Sequence, residues 1–129
     1  MVDSILRAKG DLPCGGMKSL GDHTRDVCNA ADELFGTSEH PTHLGTCWLR
    51  FFRMEREDWP QFFWNLTAST LLHDWGKANE DMQKILRRQG RSQCYRHEHL
   101  SVLAMTFPGV RNWLEQRSDI DWMIVRAAV

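Results

Sequence analysis

An all-α domain, of the helical-bundle kind, is the fold class this sequence predicts, and three observations predict it. Apolar residues recur at helical spacing along most of the chain. Proline is confined to Pro13, Pro41, Pro60 and Pro108, which fall between those stretches. No stretch reads as a strand, and there are no repeats or low-complexity tracts.

The elements follow in order. Residues 1–20 are glycine-rich and irregular after a short apolar start. From about Asp22 to Phe35 the pattern is helical, with His23, Val27, Ala30, Ala31 and Leu34 on one face, so His23 belongs to the buried stripe. Residues 36–47, with Gly36, His40, Pro41, His43 and Gly45, predict a loop. Asp58 and Pro60 mark a helix start, and Phe63, Leu66, Leu71 and Leu72 make that helix apolar nearly all round. It is expected at the centre of the fold, with Gly76 as its stop and His73 and Asp74 in its last turn. Asn79 predicts the N-cap of a helix carrying Met82, Ile85 and Leu86 inward. Gln89 to Cys94 is a polar loop. His97 to Phe107 is helical, with Leu100, Leu103, Ala104 and Phe107 inward and Pro108-Gly109 as its end. A short helix passes through Trp113 and Leu114. A last one starts after Asp119 and has no stop signal by Val129.

Bulk properties bound the function. At 129 residues, 42% of them hydrophobic, the chain makes one domain that buries roughly two-thirds of its unfolded surface. A net charge of -1 gives no global attraction to nucleic acid, so local charge decides. Between Met82 and Arg96 there is no acid, but Lys84, Arg87, Arg88, Arg91 and Arg96 are basic. The run is either a solvated face or a phosphate-contacting rim, and its position between the His-Asp pair and His97 favours the rim. Cys14, Cys28, Cys47 and Cys94 show no CxxC spacing, and no apolar stretch approaches twenty residues. A cytoplasmic chain with free thiols and no membrane partner is expected.

The chemistry centres on His73-Asp74, with His23 and His97 in similarly apolar settings and Lys77 three residues past the aspartate. Imidazole and carboxylate together suit a borderline divalent metal. Each histidine alone would be read as a hydrogen-bonded core residue; their combination with Asp74 and Lys77 outlines a metal-dependent phosphohydrolase. Lys77 would stabilise charge on a phosphoryl oxygen. Glu98 and Ser101 are expected to support His97, and His99 to be exposed. His40, His43 and Cys47 form a rival loop cluster whose spacing matches no common zinc site. The run Trp48-Leu49-Arg50-Phe51-Phe52-Arg53 is read as core plus rim rather than a base-stacking platform.

The segments Ala8-Lys9-Gly10, Leu20-Gly21-Asp22-His23, Leu72-His73-Asp74-Trp75-Gly76-Lys77-Ala78-Asn79 followed by Gln83, and Arg96-His97-Glu98-His99-Leu100-Ser101 occur in that order. Together they resemble the HD nuclease domain of CRISPR-associated Cas3 proteins, within the HD phosphohydrolase superfamily. The resemblance runs from residue 6 to residue 129. It implies an all-helical domain that cuts single-stranded DNA in antiviral defence with one or two divalent ions (Mn, Co, Ni, Fe or Mg). By motif, His23, His73 and Asp74 would hold the first ion, and His97 would belong to a second, with Asp74 bridging. Asp74 and Lys77 would be catalytic. The helicase domain and the CRISPR effector complex would be partners, in cis or in trans. Met82 departs from the aromatic that commonly precedes the glutamine. The family's later His-His pair and further aspartate do not occur, so a form truncated at its C-terminus is expected. Two other readings remain: an HD phosphohydrolase acting on nucleotides or cyclic dinucleotides, and a non-enzymatic remnant acting as an interaction module.

Overall fold

The computed structural model describes residues 5–10, 15–90 and 92–129, and over these the chain is all-helical. Seven α-helices follow one another: α1 (Leu20–Phe35), α2 (His43–Phe52), α3 (Trp59–Leu72), α4 (Glu80–Leu86), α5 (His97–Met105), α6 (Pro108–Glu115) and α7 (Trp122–Ala128). Short 3-10 turns, Arg56–Asp58 and Trp75–Ala78, lead into α3 and follow it. The described residues contain no strand, only isolated bridges such as Arg7 to Ser19.

Side-chain caps set most helix starts. Ser19 accepts from the Asp22 amide at 3.0 Å to open α1, and Thr42 accepts from the Gly45 amide at 3.1 Å to open α2. Asn79 caps α4 through the Met82 amide at 3.0 Å, and Asp121 caps α7 through the amides of Met123 and Ile124. At the end of α1 the backbone of Gly36 takes φ +97°, where a Cβ would stand 2.2 Å from the His40 carbonyl oxygen.

Helix α3 lies at the centre, between α1 and α7, and supplies both halves of the core. Its Ala68 and Leu72 join Met105, Leu114, Ile120 and Val125, and its Trp59 and Phe63 pack with Leu49. Two of its buried residues are polar and satisfied: the Ser69 hydroxyl donates to the Asn65 carbonyl, and Asn65 Oδ1 accepts the Asp121 amide at 2.7 Å, tying α7 to α3.

Four expectations change. The stretch 36–47 is not all loop, because Thr42 caps a helix that already includes His43. In α1 the last inward place goes to Phe35, edge-on to Trp48 at 5.6 Å, and Leu34 stands 55% exposed. Pro108 does not merely end α5; it opens α6 as a first-turn residue. The inward residues of α5 are Ser101 and Met105, while Leu103 and Phe107 are exposed. That helix is apolar on most sides, so periodicity could not show which side packs. Arg91 and Cys14 lie outside the described residues; Cys28, Cys47 and Cys94 are free thiols.

Candidate metal centre

The centre is built around Asp74, 3% exposed, in the turn that follows α3. Its Oδ2 is 3.0 Å from His23 Nε2, 3.2 Å from His73 Nε2 and 2.7 Å from Lys77 Nζ. Its other oxygen, Oδ1, is 3.5 Å from His97 Nε2. Helix α1, the end of α3 and the first turn of α5 thus each contribute a histidine to one carboxylate. All four predicted ligands meet, and donor atoms of His23, His73 and Asp74 lie within 4.8 Å of one another. Among the described residues this is the one such group of three.

The hydrogen bonds decide what the donors offer. His73 Nδ1 is 2.7 Å from the Thr70 carbonyl oxygen, which can only accept, so Nδ1 carries the proton. The neutral ring then turns the Nε2 lone pair toward a carboxylate oxygen. Two acceptors face each other, and a positive charge between them, a proton or a metal ion, resolves the conflict. A ligating histidine ordinarily donates its second nitrogen to a carbonyl in this way. Two imidazoles and a carboxylate match the donor set of a divalent transition metal, so the residues present fit such an ion.

Electrostatics are consistent with that role. Burial opposes ionisation of Asp74, but hydrogen bonds from His73, when its ring is protonated, and from Lys77 outweigh it and hold the carboxyl well below its ordinary range. Burial lowers the pKa of His23 against the pull of Asp74, favouring the neutral ring that binds metal. His73 moves the other way, raised chiefly by its hydrogen bond to Asp74.

The scaffold around the turn is close-packed. Gly76 is buried against α5, and a Cβ there would lie 1.8 Å from the His97 carbonyl oxygen. Gly76 therefore serves close approach; α3 itself ends at Leu72, with His73 as its cap. Ser101, wholly buried, accepts from the Gly76 amide at 2.7 Å and donates to the His73 carbonyl at 2.8 Å. Its hydroxyl serves the His-Asp turn rather than His97, correcting the expected pairing. Glu98 does face His97, with Oε2 3.5 Å from Nδ1. Gln83, 3% exposed, donates to the carbonyls of Lys77 and Arg7 and accepts the Arg7 amide, clamping the first described segment to the lysine turn. The sequence names Gln83 but gives it no task; an uncharged amide on the inner side of a short helix is the available signal.

The remaining candidates stand apart from the centre. Lys84 pairs with Glu80 at 2.7 Å and Arg96 with Glu98 at 3.2 Å, so acids outside the basic run partly neutralise it. Arg87 donates to the Ile5 carbonyl at 3.1 Å, and Arg88 is exposed with φ +59°. His99 is exposed, as expected. His43 and Cys47 approach to 3.6 Å on α2, but His40 points to solvent and completes no three-ligand group with them. Within Trp48 to Arg53 only Leu49 is buried, and Phe51 is 79% exposed. No helix among the described residues is long and apolar enough to cross a membrane. No family model, curated protein or solved structure matches this chain.

Proposed function

We propose that the chain is a metal-dependent phosphodiesterase of the HD type, acting on single-stranded DNA. The observation that carries this reading is the convergence of His23 on α1, His73 at the cap of α3 and His97 on α5 on one buried, ionised carboxylate. A structural histidine needs one partner; three imidazoles around one acceptor are what a cation site requires.

His23, His73 and Asp74 would hold the first ion, and His97, facing the other carboxylate oxygen, would take part in a second. A divalent ion bound there would polarise a phosphoryl oxygen and activate water. The chain's own residues do the rest. Thr70 and Ser101 fix the orientation of His73 through its ring and its carbonyl. Lys77, with a side chain only 13% exposed, places a preorganised ammonium beside the carboxylate, where charge builds on a phosphoryl oxygen. Lys84, Arg87, Arg88 and Arg96 would form the rim that follows the strand, with Lys84 and Arg96 exchanging their weak surface ion pairs for phosphates. The DNA substrate, and strand supply by a helicase domain of a CRISPR effector system, rest on the motif resemblance.

The test is calorimetric titration with manganese, paired with hydrolysis of bis(p-nitrophenyl) phosphate and of a labelled single-stranded oligonucleotide. The wild type binds the ion and cuts both substrates, while H23A, H73A and D74A lose binding and cleavage together. Ion-dependent cleavage that survives D74A overturns the assignment. Cleavage of the small ester but not of the oligonucleotide overturns the choice of substrate alone.

A further inference from the structure

The structure assigns a positioning role to Ser101: its hydroxyl sets the carboxylate of Asp74 in place by bridging the backbone on either side of it. This inference rests on the metal-centre reading above. Asp74 makes its contacts from a single turn, and that turn is tied at both ends to one atom. Ser101 Oγ donates to the carbonyl of His73, the residue before Asp74, and accepts from the amide of Gly76, two residues after it. The hydroxyl is wholly buried, so water cannot substitute for either bond.

The same residue sets the distance between the two parts of the centre. His97 and Ser101 are four apart on α5 and so share a face of that helix. His97 reaches Asp74 Oδ1 from that face, while His23 and His73 reach the other oxygen, Oδ2. Ser101 is therefore the bolt between α5 and the His-Asp turn, and Gly76 allows the close approach that its bonds require. A hydroxyl used only for folding stability could satisfy any carbonyl. This one spans the residue that carries the charge.

Removing it leaves the fold's apolar core untouched but frees the turn, so ion affinity falls more than stability alone explains. Loss of an outer-shell partner of this kind typically weakens metal binding roughly 10- to 100-fold. The experiment is manganese titration by calorimetry of wild type, S101A, S101C and T42A, each checked for helicity by circular dichroism. T42A loses the cap of a helix that supplies no ligand, and serves as the control for destabilisation. The expected order of affinity is wild type, then S101C with its weak thiol donor, then S101A, with T42A equal to wild type. The cobalt-loaded S101A protein should also show a visible absorption band displaced from that of wild type. S101A binding as tightly as wild type overturns the role of Ser101 and leaves the metal centre standing. A wild type that binds neither ion overturns the metal centre, and this inference with it.

Discussion

Replacing Gly76 by alanine tests the packing on which the centre depends, because two effects of opposite sign compete there. Gly76 does not have a positive φ, so alanine can adopt its backbone, and reduced freedom of the unfolded chain would stabilise by roughly 0.4–1 kcal/mol. Against this, the new Cβ would stand 1.8 Å from the His97 carbonyl oxygen, 2.7 Å from its carbon and 2.8 Å from the Ser101 amide nitrogen. All three are backbone atoms of α5, so no side chain can swing aside. Restoring an ordinary carbon–oxygen contact of about 3.3 Å moves α5 by roughly 1.5 Å. That shift breaks both Ser101 bonds and carries His97 away from Asp74. Overpacking of this kind costs about 1–3 kcal/mol, and with backbone on both sides the upper end applies. Net destabilisation of about 2 kcal/mol lowers the melting temperature by roughly 5–10 °C in a chain of this size. Urea unfolding followed by far-ultraviolet circular dichroism, without metal, measures it. A G76A protein as stable as wild type, or more so, would show that α5 does not pack against the His-Asp turn as described.

Stability in chelator should fall with acid below about pH 4. Asp74 has a depressed folded-state pKa, so its contribution is present above its unfolded value and lost as pH drops toward the folded one; unfolding free energies of wild type and D74N against pH should differ in that limb. Near neutrality the histidines oppose each other. Stabilisation from His73, whose pKa is raised, fades as pH rises through its folded value, while that from His23, whose pKa is lowered, fades as pH falls below 6.5; H73N should therefore leave a net loss of stability as pH falls below 6.5 in the same titration. N65A removes the acceptor of the Asp121 amide and should cost about 1–3 kcal/mol in urea unfolding while leaving manganese affinity unchanged. K77A should reduce turnover of bis(p-nitrophenyl) phosphate by about 10²-fold or more and leave Mn-dependent binding measurable by calorimetry; unchanged turnover would remove Lys77 from the chemistry.

What the sequence reveals and what it hides divide along physical lines. Capping is local, so Asn79 can be placed from its own residue type and the pattern after it. The His-Asp pair is equally legible as a candidate, because a carboxylate and an imidazole just past an apolar helix suit a cation, and the structure does bring them together with His23. Thr42 escapes notice as a cap for a related reason: Pro41 and Gly45 surround it and read as loop, although Gly45 is in fact the place where α2 lies against the Trp59 ring. The role of Gly76 is hidden because the clash that selects glycine comes from α5, twenty-one or more residues away, and no local rule contains it. The partners of Ser101 and Gln83 are hidden for a similar reason, since both bond to backbone outside their own helices. Their side chains bond to backbone at residues 73, 76, 77 and 7; Ser101 reads as a support for His97, four residues away on its own helix, and only the fold turns it to the His-Asp turn instead. The candidate ligands are therefore readable as residue types, whereas the atoms that aim them depend on long-range backbone contacts. An uncharged polar residue on an apolar helix near a predicted ligand pair is thus better read as an inward support than as a solvent-facing position, and Ser101 is the case here that tests it.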